Sequence, residues 1–147
     1  MNGTASLHKY DLHIYAGKNV ARGGQVVQSS TYTETLEGTP DKAIDGNHAS
    51  IWAQKSCART LRETNPWWRV DLQKTHIVNS VKITNRKDCC AERINGAEIR
   101  VGNDLNDNGN GNPRYALLTC LAGRTLESEN DMYLKLTTAC SINCINL

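Results

Sequence analysis

Alternation of apolar and polar residues in short runs is the sequence feature that most constrains the fold. In residues 67–72, Trp68, Val70 and Leu72 recur at every second position. Residues 97–101 repeat the pattern, with charged residues between apolar ones. A period of two places successive side chains on opposite faces of an extended chain. Both runs are therefore predicted to be half-buried β-strands.

The same pattern recurs, less regularly, along most of the chain. Further strands are predicted at residues 25–32, 77–83, 114–121 and 132–136, with a last one ending the chain. Within residues 77–83, strict alternation puts Val81 and Val78 on opposite faces. Turn-forming Gly, Asn, Asp and Pro separate the runs, and no long helical pattern interrupts them. The fold class predicted is all-β, a β-sandwich.

One short helical turn is predicted at residues 39–46, TPDKAIDG. Thr39 suits the N-cap, Pro40 the first helical position and Gly46 the exit. A second polar segment, residues 102–113, reads GNDLNDNGNGNP and is expected to be a mobile loop of residues that tolerate a left-handed backbone. It begins like an EF-hand, but Tyr115 stands where that loop requires a bidentate Glu, so an EF-hand is rejected.

Length and charge narrow the class of protein. The chain has 147 residues, enough for one domain with a single core. The formal net charge is +2, with both signs scattered, which argues against nucleic acid or an anionic membrane surface as partner. No apolar run is long enough for a spanning helix, so we expect no membrane insertion. The first residues lack the apolar centre of a secretory signal, so a signal was either removed or never present.

Six cysteines without a CxxC pair predict disulfides and an oxidising, extracellular compartment. Structural zinc is disfavoured, because the four histidines are dispersed and the ligand spacing is wrong.

The adjacent Cys89 and Cys90 lie between two arginines, Arg86 and Arg93. Adjacent cysteines can pair only by closing an eight-membered ring, which makes a stiff apolar sulfur surface. Arginines beside it supply planar forks of donors. A sugar fits both features, since its ring has an apolar face and a rim of hydroxyls. Alternatively, the cysteines bond elsewhere and the arginines form ion pairs with nearby carboxylates, Asp88 among them.

Together with these residues, several longer stretches resemble the F-type lectins, the fucose-binding fucolectins. The similar stretches are QSSTY, KAIDGN, NPWWRVDL, VKITNRKDCCAERINGAEIRVG and GNGNP, which cover most of residues 17–113. The resemblance implies a galactose-binding-domain-like jelly roll of about eight strands. It also implies an N-terminal extension at residues 1–16 and a lectin domain at 17–147, whose part after Arg124 is shortened or diverged.

The resemblance implies a role for each residue around the vicinal cysteines. Arg86 and Arg93 would donate to sugar hydroxyls, and Asp88 would hold an arginine in place. Cys89 and Cys90 would form the disulfide against which the sugar lies.

At two other positions the resemblance leaves two interpretations open. Trp52 would contact the methyl group of fucose, unless it is a core tryptophan. Arg59 occupies the position of the family's sugar-binding histidine. Unlike imidazole, guanidinium only donates hydrogen bonds, so Arg59 either weakens fucose binding or redirects the site to a sulfated or carboxylated glycan.

A structural calcium ion is also implied by the resemblance. Its ligands would be carbonyls, a carboxylate and a hydroxyl from two segments: Lys42, Asp45, Asn47, Ser56, Cys140 and Ser141. Ser141 stands where the family has Glu, which leaves Asp45 as the one carboxylate and weakens the site.

The resemblance further implies a disulfide between Cys57 and Cys140, with Cys144 as the second choice. Cys120 would then pair with whichever of the two remains.

The function predicted is that of a secreted lectin that recognises terminal L-fucose on glycans in innate immune recognition. No nucleophile with a base and an orienting group can be assembled, so the chain is predicted not to be an enzyme. The alternative is a diverged lectin-fold module for anionic glycans or a protein ligand, with a fucose site impaired by Arg59. A homo-oligomer is expected, because single lectin sites bind weakly.

Overall fold

The computed structural model describes residues 18–76, 78–117, 125–130 and 134–137, and over these the chain forms seven β-strands. In chain order they are β1 Gln25–Gln28, β2 Trp67–Asp71, β3 Val78–Lys82, β4 Glu98–Val101, β5 Arg114–Leu117, β6 Thr125–Asn130 and β7 Leu134–Thr137. Five of them form one sheet in the order β1-β2-β7-β4-β5, and β3 pairs with β6 in a second sheet. Every pairing is antiparallel, as the all-β prediction requires.

The core lies between the two sheets. Trp68 and Val70 of β2 and Ile99 of β4 are fully buried, and Val81 of β3 joins the same apolar cluster. The inward faces predicted by alternation along residues 67–72 and 97–101 are therefore confirmed. Trp68 buries its whole indole ring in this core, which makes it a large contributor to the buried apolar area. Its Nε1 donates a hydrogen bond to the carbonyl oxygen of Pro40 at 2.9 Å. This bond fastens the segment after residue 39 to the central sheet.

Strand β3 departs from the predicted alternation. Val78 was expected to lie opposite Val81, yet both pack against the core. The register of β3 against β6 shifts between Val78 and Ser80, which is a β-bulge or a similar irregularity. Between these two pairs β3 advances by two residues and β6 by three, so the ladder is irregular where the alternation expected along β3 fails.

Two strands differ from their predicted extent. β1 ends at Gln28 instead of residue 32, and the residues that follow turn toward the site described below. β6 was not predicted at all, because TLESEN has one apolar residue and no alternation to detect. The predicted strand ending the chain lies outside the described residues, as do residues 1–16, Cys120, Cys140, Ser141 and Cys144.

The described residues contain four 3-10 turns, whereas the sequence predicted one helical turn. They are Pro40–Ala43, Trp52–Gln54, Ala91–Ile94 and Asn106–Gly109. In the predicted turn, Thr39 is the N-cap residue but its side chain makes no capping hydrogen bond. Gly46 follows with φ of +85°, the left-handed conformation that glycine adopts without steric cost. In the parts of the chain that the structure describes, no helix has the length and apolarity needed to cross a bilayer.

Candidate sugar-binding site

The backbones of Arg59, Gly38 and Tyr32 are joined to one another by three hydrogen bonds. The Arg59 N–H donates to the Gly38 carbonyl at 2.9 Å, and the Tyr32 N–H donates to the Arg59 carbonyl at 3.0 Å. Gly38 in turn donates to the Tyr32 carbonyl at 2.9 Å. A Cβ on Gly38 would lie 2.7 Å from Arg59 Cβ and 2.9 Å from its backbone nitrogen, so only glycine allows this approach.

Gln28, at the end of β1, braces the same three-residue arrangement from the interior. It is buried, and its Nε2 donates to the Gly38 carbonyl at 2.9 Å and to the Arg59 carbonyl at 3.2 Å. Its Oε1 is buried and has no hydrogen-bond partner within the described part of the chain. Because a buried amide is costly unless it is bonded, Gln28 is suited to fixing the backbone that carries Arg59.

Aromatic rings surround the Arg59 guanidinium group. Its Cζ lies 3.6 Å from the centroid of the Tyr32 ring and 5.2 Å from that of Trp52. The two rings meet edge to face, with centroids 5.8 Å apart and planes at 71°. Trp52 is half-buried and outside the core cluster, which excludes the alternative that it is a core tryptophan. Tyr32 and Trp52 therefore hold Arg59 by cation–π contact.

Arg86 and Asp88 form a two-bonded ion pair beside Trp52. Arg86 donates through Nε to Asp88 Oδ1 at 2.6 Å and through Nη2 to Oδ2 at 2.8 Å. Asp88 Oδ2 also accepts from the Trp52 backbone N–H at 3.4 Å. The bonds from Arg86 are the main cause that lowers the pKa of Asp88 from 3.8 to about 2. Asp88 therefore holds Arg86 in an ion pair, which both interpretations of these residues predicted, while Arg86 Cζ lies 5.5 Å from the centroid of the Trp52 ring.

The vicinal disulfide predicted between Cys89 and Cys90 is present, so the alternative that they bond elsewhere is wrong. Both cysteines are half-buried. Cys90 has φ of +62° and is the N-cap of the 3-10 turn Ala91–Ile94, on which Arg93 lies. Ile94 of that turn is buried in the core, and Asn85 Nδ2 donates to the Ala91 carbonyl at 2.9 Å. The segment is thus anchored at both ends.

Arg59 and Arg86 lie at the same Trp52 ring, and Arg93 acts on Arg59 through its charge. Burial is the first cause that lowers the pKa of Arg59 below its ordinary value, Tyr32 opposes this, and the positive charges of Arg93 and Arg86 add to the lowering. Cations from two separate chain segments therefore act on one another. Chemically, the cluster offers donor forks, an aromatic face and a sulfur surface. The roles of the individual residues toward a sugar stay predictions.

Sequence reasoning missed three residues that build this site: Gln28, Tyr32 and Gly38. Gln28 and Tyr32 were placed on a regular strand, and Gly38 carried no motif. The signal available was the stretch QSSTY, whose Ser29 and Ser30 both donate to Glu63 Oε1, the first at 2.6 Å. Local pattern could not show these contacts, because they join positions about thirty residues apart.

The predicted calcium ligands that the structure describes lie on one segment that folds back on itself. Asp45 Oδ1 accepts from the Asn47 N–H at 2.7 Å, and the buried Ser56 Oγ donates to the Ala49 carbonyl. Lys42 belongs to the 3-10 turn that precedes them, and its Nζ donates to the Glu37 carbonyl. No group of three or more His, Cys, Asp or Glu side chains that could hold a metal occurs among the described residues. A metal here would depend on backbone oxygens, the Ser56 hydroxyl and Asp45.

Comparison with known proteins decides the family. The fucolectin of Anguilla anguilla is 42% identical to this chain over 110 residues, which are 74% of this chain and 70% of the fucolectin. The chain belongs to the fucolectin family. Fucolectin-1 of Anguilla japonica is 44% identical over 106 residues, or 71% of this chain. The matched region of this chain spans 60% of the length of Fucolectin-1.

The fold of this fucolectin-family chain is also shared with a solved structure. The F-lectin (fucolectin) from the serum of Morone saxatilis, striped bass, is 40% identical with a TM-score of 0.80, and the match covers 86% of this chain and 46% of that one. A family model described as the NedA-like, galactose-binding domain matches residues 42–116, just over half of the chain. The predicted galactose-binding-domain-like fold is therefore confirmed. The curated fucolectins are lectins by name rather than enzymes, as predicted for this chain.

Proposed function

We propose that this chain is a lectin domain that binds terminal L-fucose on glycans. The observation that carries the proposal is that Arg59 and Arg86 both lie against the half-buried Trp52, with the Cys89–Cys90 disulfide directly after Asp88, the partner of Arg86. Membership of the fucolectin family supports fucose as the sugar. Arginine donors would bind the ring hydroxyls, while the sulfur and indole surfaces would contact the apolar face and the methyl group.

A glycan array followed by competition with free fucose tests this proposal. We expect fucosylated glycans to bind and free fucose to displace them. Arg86→Gln should weaken fucose binding by about tenfold or more, because a charge-assisted donor and the partner of Asp88 are both lost. Arg62→Gln, a change at an exposed arginine three residues beyond Arg59, is the matched control and should leave the affinity unchanged. Absence of any fucosylated ligand on the array would contradict the proposal.

A calcium ion bound by the segment from Lys42 to Ser56 is the second part of the proposal. The donors there are oxygens, which a hard cation prefers. Ser56 can donate to Ala49 and still offer a lone pair, since a hydroxyl has one donor and two acceptor sites. Lys42 and Asn47 would add carbonyls and Asp45 a carboxylate. The ion would hold the segment that leads from the 3-10 turn Pro40–Ala43 to Trp52.

We also propose that the chain acts outside the cell, on fucosylated glycans of microbial surfaces, and as a homo-oligomer. The disulfides at Cys57 and at Cys89–Cys90 support an oxidising compartment, and the similar striped bass lectin is a serum protein. Weak single sites gain avidity when several are linked, which is the reason to expect an oligomer. Light scattering on the purified protein would give the oligomeric state, and a monomer would contradict that part of the proposal.

A further inference from the structure

The position of the Arg59 guanidinium group is restricted by an aromatic ring and by a hydrogen-bonded backbone. Its guanidinium carbon lies 3.6 Å from the Tyr32 ring centroid, and its backbone is bonded to Gly38, Tyr32 and Gln28. Arg59 Nε is buried without a hydrogen-bond partner among the described residues. Such a side chain cannot move away from neighbouring cations as a freely solvated arginine would. Its charge is therefore a fixed property of the site.

Among the described residues, no ion pair joins the Arg59 guanidinium to a carboxylate. Arg86 and Arg93 both act on Arg59, whereas Asp88 binds Arg86 through both of its carboxylate oxygens. Glu92 is exposed on the same 3-10 turn as Arg93. Burial of Arg59 weakens its hydration, and the neighbouring cations lower its pKa further, with Tyr32 opposing. An anion placed beside Arg59 would relieve both costs.

We infer that the ligand of this site carries an anionic group, a sulfate or a carboxylate on a fucosylated glycan, and that Arg59 contacts this group. The inference rests on the proposed sugar site and names its class of ligand. A sugar hydroxyl can accept a bond from guanidinium, but it finds no acceptor there for its own proton. Sulfate and carboxylate accept bonds through every oxygen and match the planar fork of arginine. Arg59 thus sets specificity, while Arg86, Arg93 and the disulfide hold the sugar ring.

Calorimetric titration with a small panel of ligands tests the inference. The panel comprises methyl α-L-fucoside, its monosulfated derivative, a fucosylated oligosaccharide that carries a sialic acid carboxylate, and a monosulfated galactoside without fucose. We expect at least one anionic fucosylated ligand to bind about tenfold more tightly than methyl α-L-fucoside, the value of one charge-assisted contact. Tighter binding of the sulfated fucoside would identify sulfate as the group, and tighter binding of the sialylated oligosaccharide would identify carboxylate. The preference should disappear in Arg59→Gln and persist in the control Arg62→Gln.

Ionic strength gives a second measurement that needs no variant. Affinity of the wild-type protein for the anionic ligand should fall as salt is raised, while affinity for the neutral fucoside stays constant. Equal binding of neutral and anionic fucosides, or a preference that survives Arg59→Gln, overturns the inference. If the sulfated galactoside binds as tightly as the sulfated fucoside and the neutral fucoside does not bind, the proposed fucose function fails while the anionic preference stands.

Discussion

At the scale of single residues, the site depends on charges that are fixed by contacts with neighbours rather than by solvent. Asp88 is bound by Arg86 through two bonds and by the Trp52 N–H through a third. Arg59 is held between the rings of Tyr32 and Trp52. Each charged group is oriented before any ligand arrives, so less side-chain entropy remains to be lost on binding.

The pKa of Asp88 leads to a prediction of pH dependence. Because its pKa in the folded protein is about 2, below the ordinary 3.8, the Arg86–Asp88 pair is fully formed above about pH 4. The pair is lost as the pH falls through about 2. The chemical shift of the Arg86 Nε–H in NMR should change with pH with a midpoint near pH 2. This transition should be absent in Asp88→Asn, which has no carboxylate at this position. A midpoint near 3.8 would contradict the two-bonded pair.

Gly38→Ala is predicted to damage the site directly. The added Cβ would meet backbone atoms of Arg59 at 2.9 Å, which cannot yield as a flexible side chain does. We expect a loss of about 1–3 kcal/mol in the free energy of unfolding together with weaker binding of fucosylated ligands. Chemical denaturation and calorimetry measure the two effects.

Gly23→Ala is the control for Gly38→Ala. Its Cβ would meet nothing within 4 Å, but its φ of +90° makes alanine unfavourable. It should lower stability by about 1 kcal/mol and leave ligand binding intact. If the folded Gly38→Ala protein binds as well as the control, the close approach of Gly38 to Arg59 has no role in the site.

At the scale of elements, connecting segments carry the site and are more ordered than their composition suggests. Residues 102–113 were expected to be a mobile loop, yet the buried Asn112 bonds across it to the Asp104 N–H at 2.9 Å and the Asp104 carbonyl at 2.7 Å. Asp107, Asn108 and Gly109 adopt the left-handed backbone for which the sequence suited them. The left-handed turn residues were correctly predicted, whereas the buried Asn112 side chain that bonds across the loop was not.

Removal of the Asn112 side chain is predicted to destabilise the loop. Asn112→Ala deletes both bonds to Asp104 and a third to the Gly109 carbonyl at 3.2 Å, and it removes these partners from the partly buried backbone groups of Asp104. We expect a loss of roughly 2–4 kcal/mol in the free energy of unfolding, from about 1 kcal/mol per bond plus desolvation. The exposed Asn103→Ala serves as control and should change stability by less than about 0.5 kcal/mol. Equal effects in urea denaturation would show that Asn112 does not hold the loop.

At the scale of the whole molecule, the sandwich brings distant segments into one site. Segments 28–38, 52–59 and 85–94 converge at the ends of strands, and each is anchored by a buried residue. The segment with the proposed calcium ligands is joined to β2 by the bond from Trp68 to Pro40. Order in that segment should therefore be transmitted to the stability of the domain.

Calcium removal is predicted to lower the melting temperature of the domain. Anything that binds only the folded state stabilises it in proportion to the logarithm of its free concentration. We expect added Ca²⁺ to raise the melting temperature of the wild-type protein by a few degrees and EGTA to reverse the shift. Asp45→Asn should abolish the response, and Asp41→Asn, an exposed control on the preceding turn, should retain it. An identical melting curve with Ca²⁺ and EGTA would refute the site.

The sequence alone determined the features that depend on neighbours along the chain. Alternation placed Trp68, Val70 and Ile99 in the core, and adjacency made the Cys89–Cys90 bond a specific expectation. Alternation failed in β3, where Val78 and Val81 both pack against the core next to a register shift, and the polar strand β6 offered no pattern at all.

Only the tertiary structure decided how the site is assembled. Tyr32, Gly38 and Gln28 contact Arg59 across about twenty to thirty residues of sequence, and Trp52 lies beside Arg86 and Asp88 for the same reason. Sequence periodicity reports which face of a strand is apolar, but it holds no information on which loops meet at the end of a sandwich. That meeting is set by strand order and by close contacts such as Gly38 against Arg59, which exist only once the two sheets have packed.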